Sequence, residues 1–183
     1  MFVQDIWFDL KDGRKALLRS PREEDIPGTL DYLVKSAGES EFILRYPEEC
    51  GRYTYEGEKA FFERKNAAPD EMMLMCLVDG KVAGNCDIAI LPNLKCRHRA
   101  TVAIALLKDY WNLGIGTRMF QELIAFAAAR PQVTQMELQF VEGNDRARHL
   151  YEKMGFRIAG IHPNAFRLKD GSFRNEYLMI RSM

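Results

Sequence analysis

Lys108-Asp-Tyr-Trp-Asn-Leu-Gly-Ile-Gly-Thr-Arg-Met119 joins a strand-like run to a helix-like run through a paired-glycine turn, and its reading decides the fold. Gly114 and Gly116 carry no side chain to block a ligand. Successive backbone N–H groups converge at a helix start, where the helix dipole also favours negative charge. The segment therefore suits an anionic cofactor, although a G-x-G pair also serves a plain tight reversal of the chain. The flanking sequence discriminates between the two.

Before the turn, Thr101-Val-Ala-Ile-Ala-Leu-Leu107 is β-prone and uncharged, as expected of a central strand buried on both faces. After it, Ile115, Met119, Phe120, Leu123, Ile124 and Ala127 recur at helical spacing until Pro131, which ends the helix. Val133 to Val141 reads as another strand, with Met136, Leu138 and Phe140 on one face. In the next segment Asn144 is placed to cap a helix. Ala147, Leu150, Tyr151 and Met154 share a face of that helix before Gly155 stops it. Tyr151 points inward, as either a core tyrosine or a functional one.

Leu106 followed by Gly114-Ile-Gly116, then Asn144, Tyr151 and Gly155-Phe156, resembles the GNAT superfamily of N-acetyltransferases, firmly from about Met72 to Arg157. The resemblance implies an α/β (α+β) fold: a mixed, mostly antiparallel twisted sheet of six to seven strands with about four helices. It implies acetyl-CoA as cosubstrate, with no metal. Two positions depart from the family pattern. Trp111 stands where Arg or Gln is usual, three residues before the first cradle glycine. Gln139 stands where some members carry a glutamate base, and the strand before the turn offers only Val102, Ala103, Ile104 and Ala105.

By the same resemblance, main-chain groups of Ile104, Ala105 and Leu106 pair with the pantetheine arm as though it were an added strand. The pyrophosphate then sits on N–H groups across Asn112, Leu113, Gly114, Ile115, Gly116 and Thr117, and Asn144 and Tyr151 complete the cofactor set. Arg118 is either a phosphate neighbour or a solvated helix charge. The N–H of Leu106 suits the acetyl oxygen, and Tyr151 suits the departing thiolate, since a phenol of pKa ~10 keeps its proton at neutral pH. The base is open among Asp87, Glu39 and Glu41. His98, between two arginines, reads as surface. Tyr46, Phe166, Phe173 and Tyr177 are expected either to line the amine pocket or to lie in the core. The implied reaction is direct attack by a primary amine, either a small molecule or a peptide N-terminus. The rivals are an acyl-enzyme on Cys86 and a non-catalytic CoA-binding regulatory or interaction module.

Composition sets the outer bounds. At 183 residues and 47% hydrophobic, the chain is expected to form a single domain over 1–183. Lys+Arg and Asp+Glu both number 26, so no global field draws it to nucleic acid. Cys50, Cys76, Cys86 and Cys96 form no C-x-x-C pair, which suits neither a zinc site nor a disulfide framework. No apolar run reaches membrane-spanning length, and Asp5, Asp9 and Asp12 argue against a signal peptide. A cytoplasmic protein is the expectation. A homodimer, common among similar proteins, has no segment that singles out its interface.

Along the remainder, Ala16 to Arg19 reads as the first strand. One helix is expected after Ser20-Pro21 to about Ser36, and another from Thr54 to about Asn66. The link Gly38 to Arg52, rich in acids, is long enough to form a substrate wall. Met72 to Val78 and Lys81 to Leu91 flank Asp79-Gly80 as a hairpin. Phe156 to His162 and Ser172 to Ile180 form the last two strands.

Overall fold

The structure is a computed structural model that describes all residues 1–183. Eight strands and four α-helices follow in chain order. They are β1 Ile6–Asp9, β2 Lys15–Arg19, α1 Ile26–Glu39, α2 Tyr55–Ala67, β3 Glu71–Val78, β4 Lys81–Ile90, β5 Arg99–Leu106, α3 Ile115–Ala128, β6 Gln135–Val141, α4 Asp145–Lys153, β7 Arg157–Arg167 and β8 Phe173–Ser182. Short 3-10 turns precede α1, α2 and β5 and follow β5. No helix is long and apolar enough to cross a membrane. Internal contacts gather into two units, Met1–Ala89 with Ile104–Leu123, and Ile90–Ala103 with Ile124–Met183.

In the first unit, β1 to β4 lie in sequence order, and the end of β5 follows β4. Each registered pair from β1 to β4 is antiparallel. Asp79 and Gly80 turn β3 into β4 with φ of 51° and 73°, the left-handed pair that a two-residue hairpin needs. Ile26 and Tyr32 of α1 and Phe62 of α2 close over Met73, Met75 and Leu77 of β3, with Val82 and Leu107. Straight methionines fill the irregular gap between helix and sheet. Arg19 on β2 forks onto buried Asp25, with Nη1–Oδ2 2.6 Å and Nη2–Oδ1 2.8 Å, and so ties the sheet to the start of α1.

In the second unit, the start of β5 is followed by β6, β8 and β7. The β5–β6 pairing is parallel, running from Arg99↔Gln135 to Thr101↔Glu137, whereas β6–β8 and β7–β8 are antiparallel. Arg99 grips buried Glu137 with Nε and Nη2 at 3.0 and 2.8 Å, pinning that short ladder. Met136, Leu138, Phe140 and Met179 fill the core with Tyr151 and Phe156.

Two expectations change. The sheet has eight strands rather than six to seven, because Ile6–Asp9 forms a strand ahead of the one foreseen. Its four residues include an exposed tryptophan and an aspartate, too short a pattern to register as periodic. The second change concerns β5, which is not buried on both faces: Ala100 and Val102 are buried, Ala103 is exposed and Ile104 to Leu106 are half-buried. Its parallel ladder covers Arg99–Thr101, and the later residues run on past it.

Candidate functional site

In the first unit the end of β5 is fixed by close backbone approach. A Cβ on Gly84 of β4 would lie 2.3 Å from the Ala105 carbonyl oxygen and 2.9 Å from Leu106 Cα, so only glycine fits. Leu107 N–H donates to Ala83 O at 3.0 Å. The hydroxyl of buried Tyr32 lies 3.2 Å from Ala105 O and 3.0 Å from Asn85 Oδ1. A phenol has one proton, so satisfying both contacts requires the Asn85 amide to turn its NH2 toward the phenol while the phenol donates to Ala105. Burial holds the Tyr32 phenol protonated, well above its usual range.

Trp111 Nε1–H reaches back across the turn to Leu106 O at 2.8 Å. The departure from the family pattern thus has a structural role, anchoring the strand end with an indole. Neither the Tyr32 nor the Trp111 bond uses an N–H of β5. The carbonyls of Ala105 and Leu106, expected to pair with a cofactor arm, already accept side-chain donors.

The turn then winds through Asn112 at φ 63° and Gly114 at φ 95°. Open space surrounds a Cβ at Gly114, so backbone conformation, not crowding, demands the glycine there. Arg118 N–H donates to Gly114 O as α3 begins, leaving the N–H groups of the first turn without intrahelical acceptors. Asn112 is exposed, Leu113, Gly114, Gly116 and Thr117 are half-buried, and Ile115 faces the core. Arg118 pairs with Glu122 at 2.5 Å, one turn along α3.

The three acids read as bases separate. Glu39, at the end of α1, accepts Lys108 N–H at 2.8 Å and lies 3.7 Å from Lys35, so it braces the segment entering the glycine turn. Glu41 is exposed in the turn after α1. Asp87 on β4 lies 3.6 Å from Lys65, which holds Glu71 more closely at 2.6 Å. Burial raises the Asp87 carboxyl, and Lys65 opposes that rise. Cys86 is wholly enclosed, and burial pushes its thiol well above the usual range, against a thiolate nucleophile.

In the second unit Asn144 Oδ1 caps α4 by accepting Ala147 N–H at 3.3 Å. Tyr151, 6% exposed, stands edge-on to Phe140 and Phe156 with centroids 5.9 and 6.4 Å away. Burial pushes its phenol up to about 12, with Arg146 opposing, so it stays protonated throughout the neutral range. Phe140 also stacks on Tyr177 at 5.3 Å. Phe166 is half-buried, while Phe173, Gln139 and His98 are exposed.

Sequence reading missed Gly84, Tyr32, Asn85 and Glu58. Tyr32 lies at helical spacing from Ile26 and Thr29, which marks it as inward but not as a hydrogen-bond donor. Glu58, four residues after the α2 cap Thr54, passes for a first-turn acid yet is buried. Only packing distinguishes it from exposed Glu56.

The model of the acetyltransferase (GNAT) family matches residues 39–156. A GNAT-family acetyltransferase from Streptococcus pneumoniae superposes with a TM-score of 0.85 at 26% identity, over 92% of this chain and 99% of that one. A ribosomal-protein-alanine N-acetyltransferase from Brucella melitensis gives 0.76 at 21% identity, over 91% and 99%. The yncA protein of Salmonella typhimurium, solved with its cofactor acetyl-CoA, gives 0.76 at 15% identity, over 91% and 93%. The last two show the fold alone.

Proposed function

The chain belongs to the GNAT family of acetyltransferases, and from that premise we propose that it transfers the acetyl group of acetyl-CoA to a primary amine by direct attack. The observation that carries this reading is the backbone cradle at the start of α3, with Asn112 and Gly114 in left-handed conformation and first-turn N–H groups open to an anion. In this reading the donors across Asn112 to Thr117 hold the pyrophosphate. Main-chain groups of Ile104 to Leu106 align the pantetheine arm, the Ala105 and Leu106 carbonyls each keeping a second lone pair beside their side-chain donor.

The amine nitrogen forms its bond to the acetyl carbon, the carbonyl oxygen gains negative charge, and the Leu106 N–H stabilises it. The C–S bond then breaks and the thiolate takes a proton from Tyr151, which burial keeps protonated at neutral pH. The proton lost by the nitrogen balances the one given to sulfur. The buried, protonated Cys86 supports attack without an acyl-enzyme. Cysteines that are all free fit a reducing compartment such as the cytoplasm.

Thiol release is to be followed with acetyl-CoA and a panel of small amines and peptides, in the natural protein and in Tyr151→Phe. Release that needs an amine and falls about 100-fold in the variant supports transfer and the donor role. Cofactor binding with no release across the panel refutes transfer to these amines and favours a regulatory CoA-binding role. Release that survives Tyr151→Phe moves the proton elsewhere.

A further inference from the structure

The C=O of Ala105 and the N–H of Leu106 are opposite ends of one rigid peptide plane, so a group that fixes one end aims the other. The Leu106 N–H is the donor proposed for the acetyl oxygen. Leu107 N–H donates to Ala83 O of β4 at 3.0 Å, and strand alternation therefore turns the Leu106 N–H to the opposite edge. Trp111 meets the Leu106 carbonyl on that edge, at 2.8 Å. The parallel ladder with β6 ends at Thr101 and does not continue to Leu106.

The other end of the plane is held from behind. The hydroxyl of buried Tyr32 lies 3.2 Å from Ala105 O, and β4 comes so near that a Cβ on Gly84 would stand 2.3 Å from the same oxygen. The helix α1 has further ties to this strand end on the same face: Lys35 pairs with Asp109 at 2.7 Å, and Glu39 accepts Lys108 N–H at 2.8 Å. The Tyr32 ring belongs to the apolar cluster of Met73, Met75 and Leu77, where a phenylalanine would fill the same space. What the hydroxyl adds is a chain of hydrogen bonds. With the Asn85 NH2 turned toward the phenol, Asn85 donates to the Tyr32 oxygen and the phenol donates to Ala105 O. Each bond polarises the next, and a carbonyl that accepts strengthens the N–H at the far end of its own peptide. Burial keeps the phenol protonated, so the chain stays intact across the neutral range.

We propose that Tyr32 is a positioning residue for acetyl transfer: through the Ala105 carbonyl it aims and polarises the Leu106 N–H that holds the acetyl oxygen. This rests on the transferase reading. Trp111 is the comparison that isolates the effect. The carbonyl it holds belongs to the next peptide, whose N–H is that of Leu107 and is already given to Ala83. Trp111 thus fixes the strand end without strengthening the Leu106 donor.

The test reads the carbonyl stretch of bound acetyl-CoA, labelled with carbon-13 at the acetyl carbonyl, by isotope-edited infrared difference spectroscopy at saturation. It compares the natural protein with Tyr32→Phe and Trp111→Phe and needs no amine. A hydrogen bond to the thioester oxygen lowers the stretch. The stretch should rise toward that of free acetyl-CoA in Tyr32→Phe and keep its natural value in Trp111→Phe. With an amine that is turned over, the single-turnover rate of Tyr32→Phe should fall about tenfold, less than the loss of about 10²–10³ expected for removing a whole oxyanion donor. The KM for acetyl-CoA should stay within about twofold, since the interaction strengthens in the transition state. An unchanged stretch in Tyr32→Phe overturns the proposal. So does an equal rise in both variants, which marks general loosening of the strand end, and so does a raised KM for acetyl-CoA with an unchanged single-turnover rate. If the natural protein binds acetyl-CoA and turns over no amine, the transferase reading has failed separately, and the stretch still decides whether Tyr32 acts on the bound acetyl group. A protein that binds no acetyl-CoA overturns both.

Discussion

The start of α1 and the start of α2 both carry a buried acid, yet they are built on opposite terms. At α1, Asp25 is enclosed by the Arg19 fork and by Arg22 N–H at 2.8 Å, so every oxygen is satisfied. At α2, the cap Thr54 accepts Gly57 N–H at 3.1 Å, and Glu58 takes no hydrogen bond from the protein while its carboxylate oxygens stay within reach of water. The first arrangement fixes structure. The second leaves the helix start to its cap.

The largest effect expected from this contrast is at α1. Asp25→Ala strands the Arg19 charge in the interior and should cost about 3–5 kcal/mol in denaturant unfolding, whereas Glu58→Ala should cost far less. Comparable losses from the two would break the contrast. Next in size is Gly84→Ala, where the new Cβ meets the Ala105 carbonyl at 2.3 Å. An overpacking cost of about 1–3 kcal/mol should be accompanied by a rise in the KM for acetyl-CoA, because β5 must shift. A silent Gly84→Ala would show that the strand end yields easily. Thr54→Ala should lower stability by about 1 kcal/mol, measured by the urea midpoint, and so assign the α2 start to its cap and not to Glu58.

The smallest effect at neutral pH belongs to Tyr151, whose substitution by Phe should leave stability there nearly unchanged. Its phenol is pushed up to about 12 in the fold, so the unfolded chain ionises first. Stability is therefore full below the usual phenol range near pH ~10 and declines as pH rises toward about 12. A natural protein that shows the same alkaline slope as Tyr151→Phe would remove Tyr151 from that account.

The glycine turn ahead of α3 was legible in the sequence because it depends on backbone. Gly114 announces itself through conformational demand at φ 95°, Asn144 through its side-chain cap, and the Gly155 stop appears at φ 86°. The helical faces of α3 and α4 were equally plain. What stayed hidden depends on partners distant in the chain. Gly84 matters only because β5 presses on it, and Tyr32 because Ala105 and Asn85 lie within reach, while the burial of Glu58 depends on what α2 packs against. The strand β1 escaped for a different reason: four residues give period-two alternation too few repeats to stand out.

The indole of Trp111, hydrogen-bonded to the last carbonyl of β5, also equips the protein with an optical gauge. The chain has two tryptophans, and the other, Trp7, is 62% exposed on β1. A Trp7→Phe protein would emit from the glycine turn alone. Any anion that settles on the start of α3 and tightens or loosens the Trp111–Leu106 bond would register as a change in colour and intensity, before any chemistry occurs and without a labelled ligand.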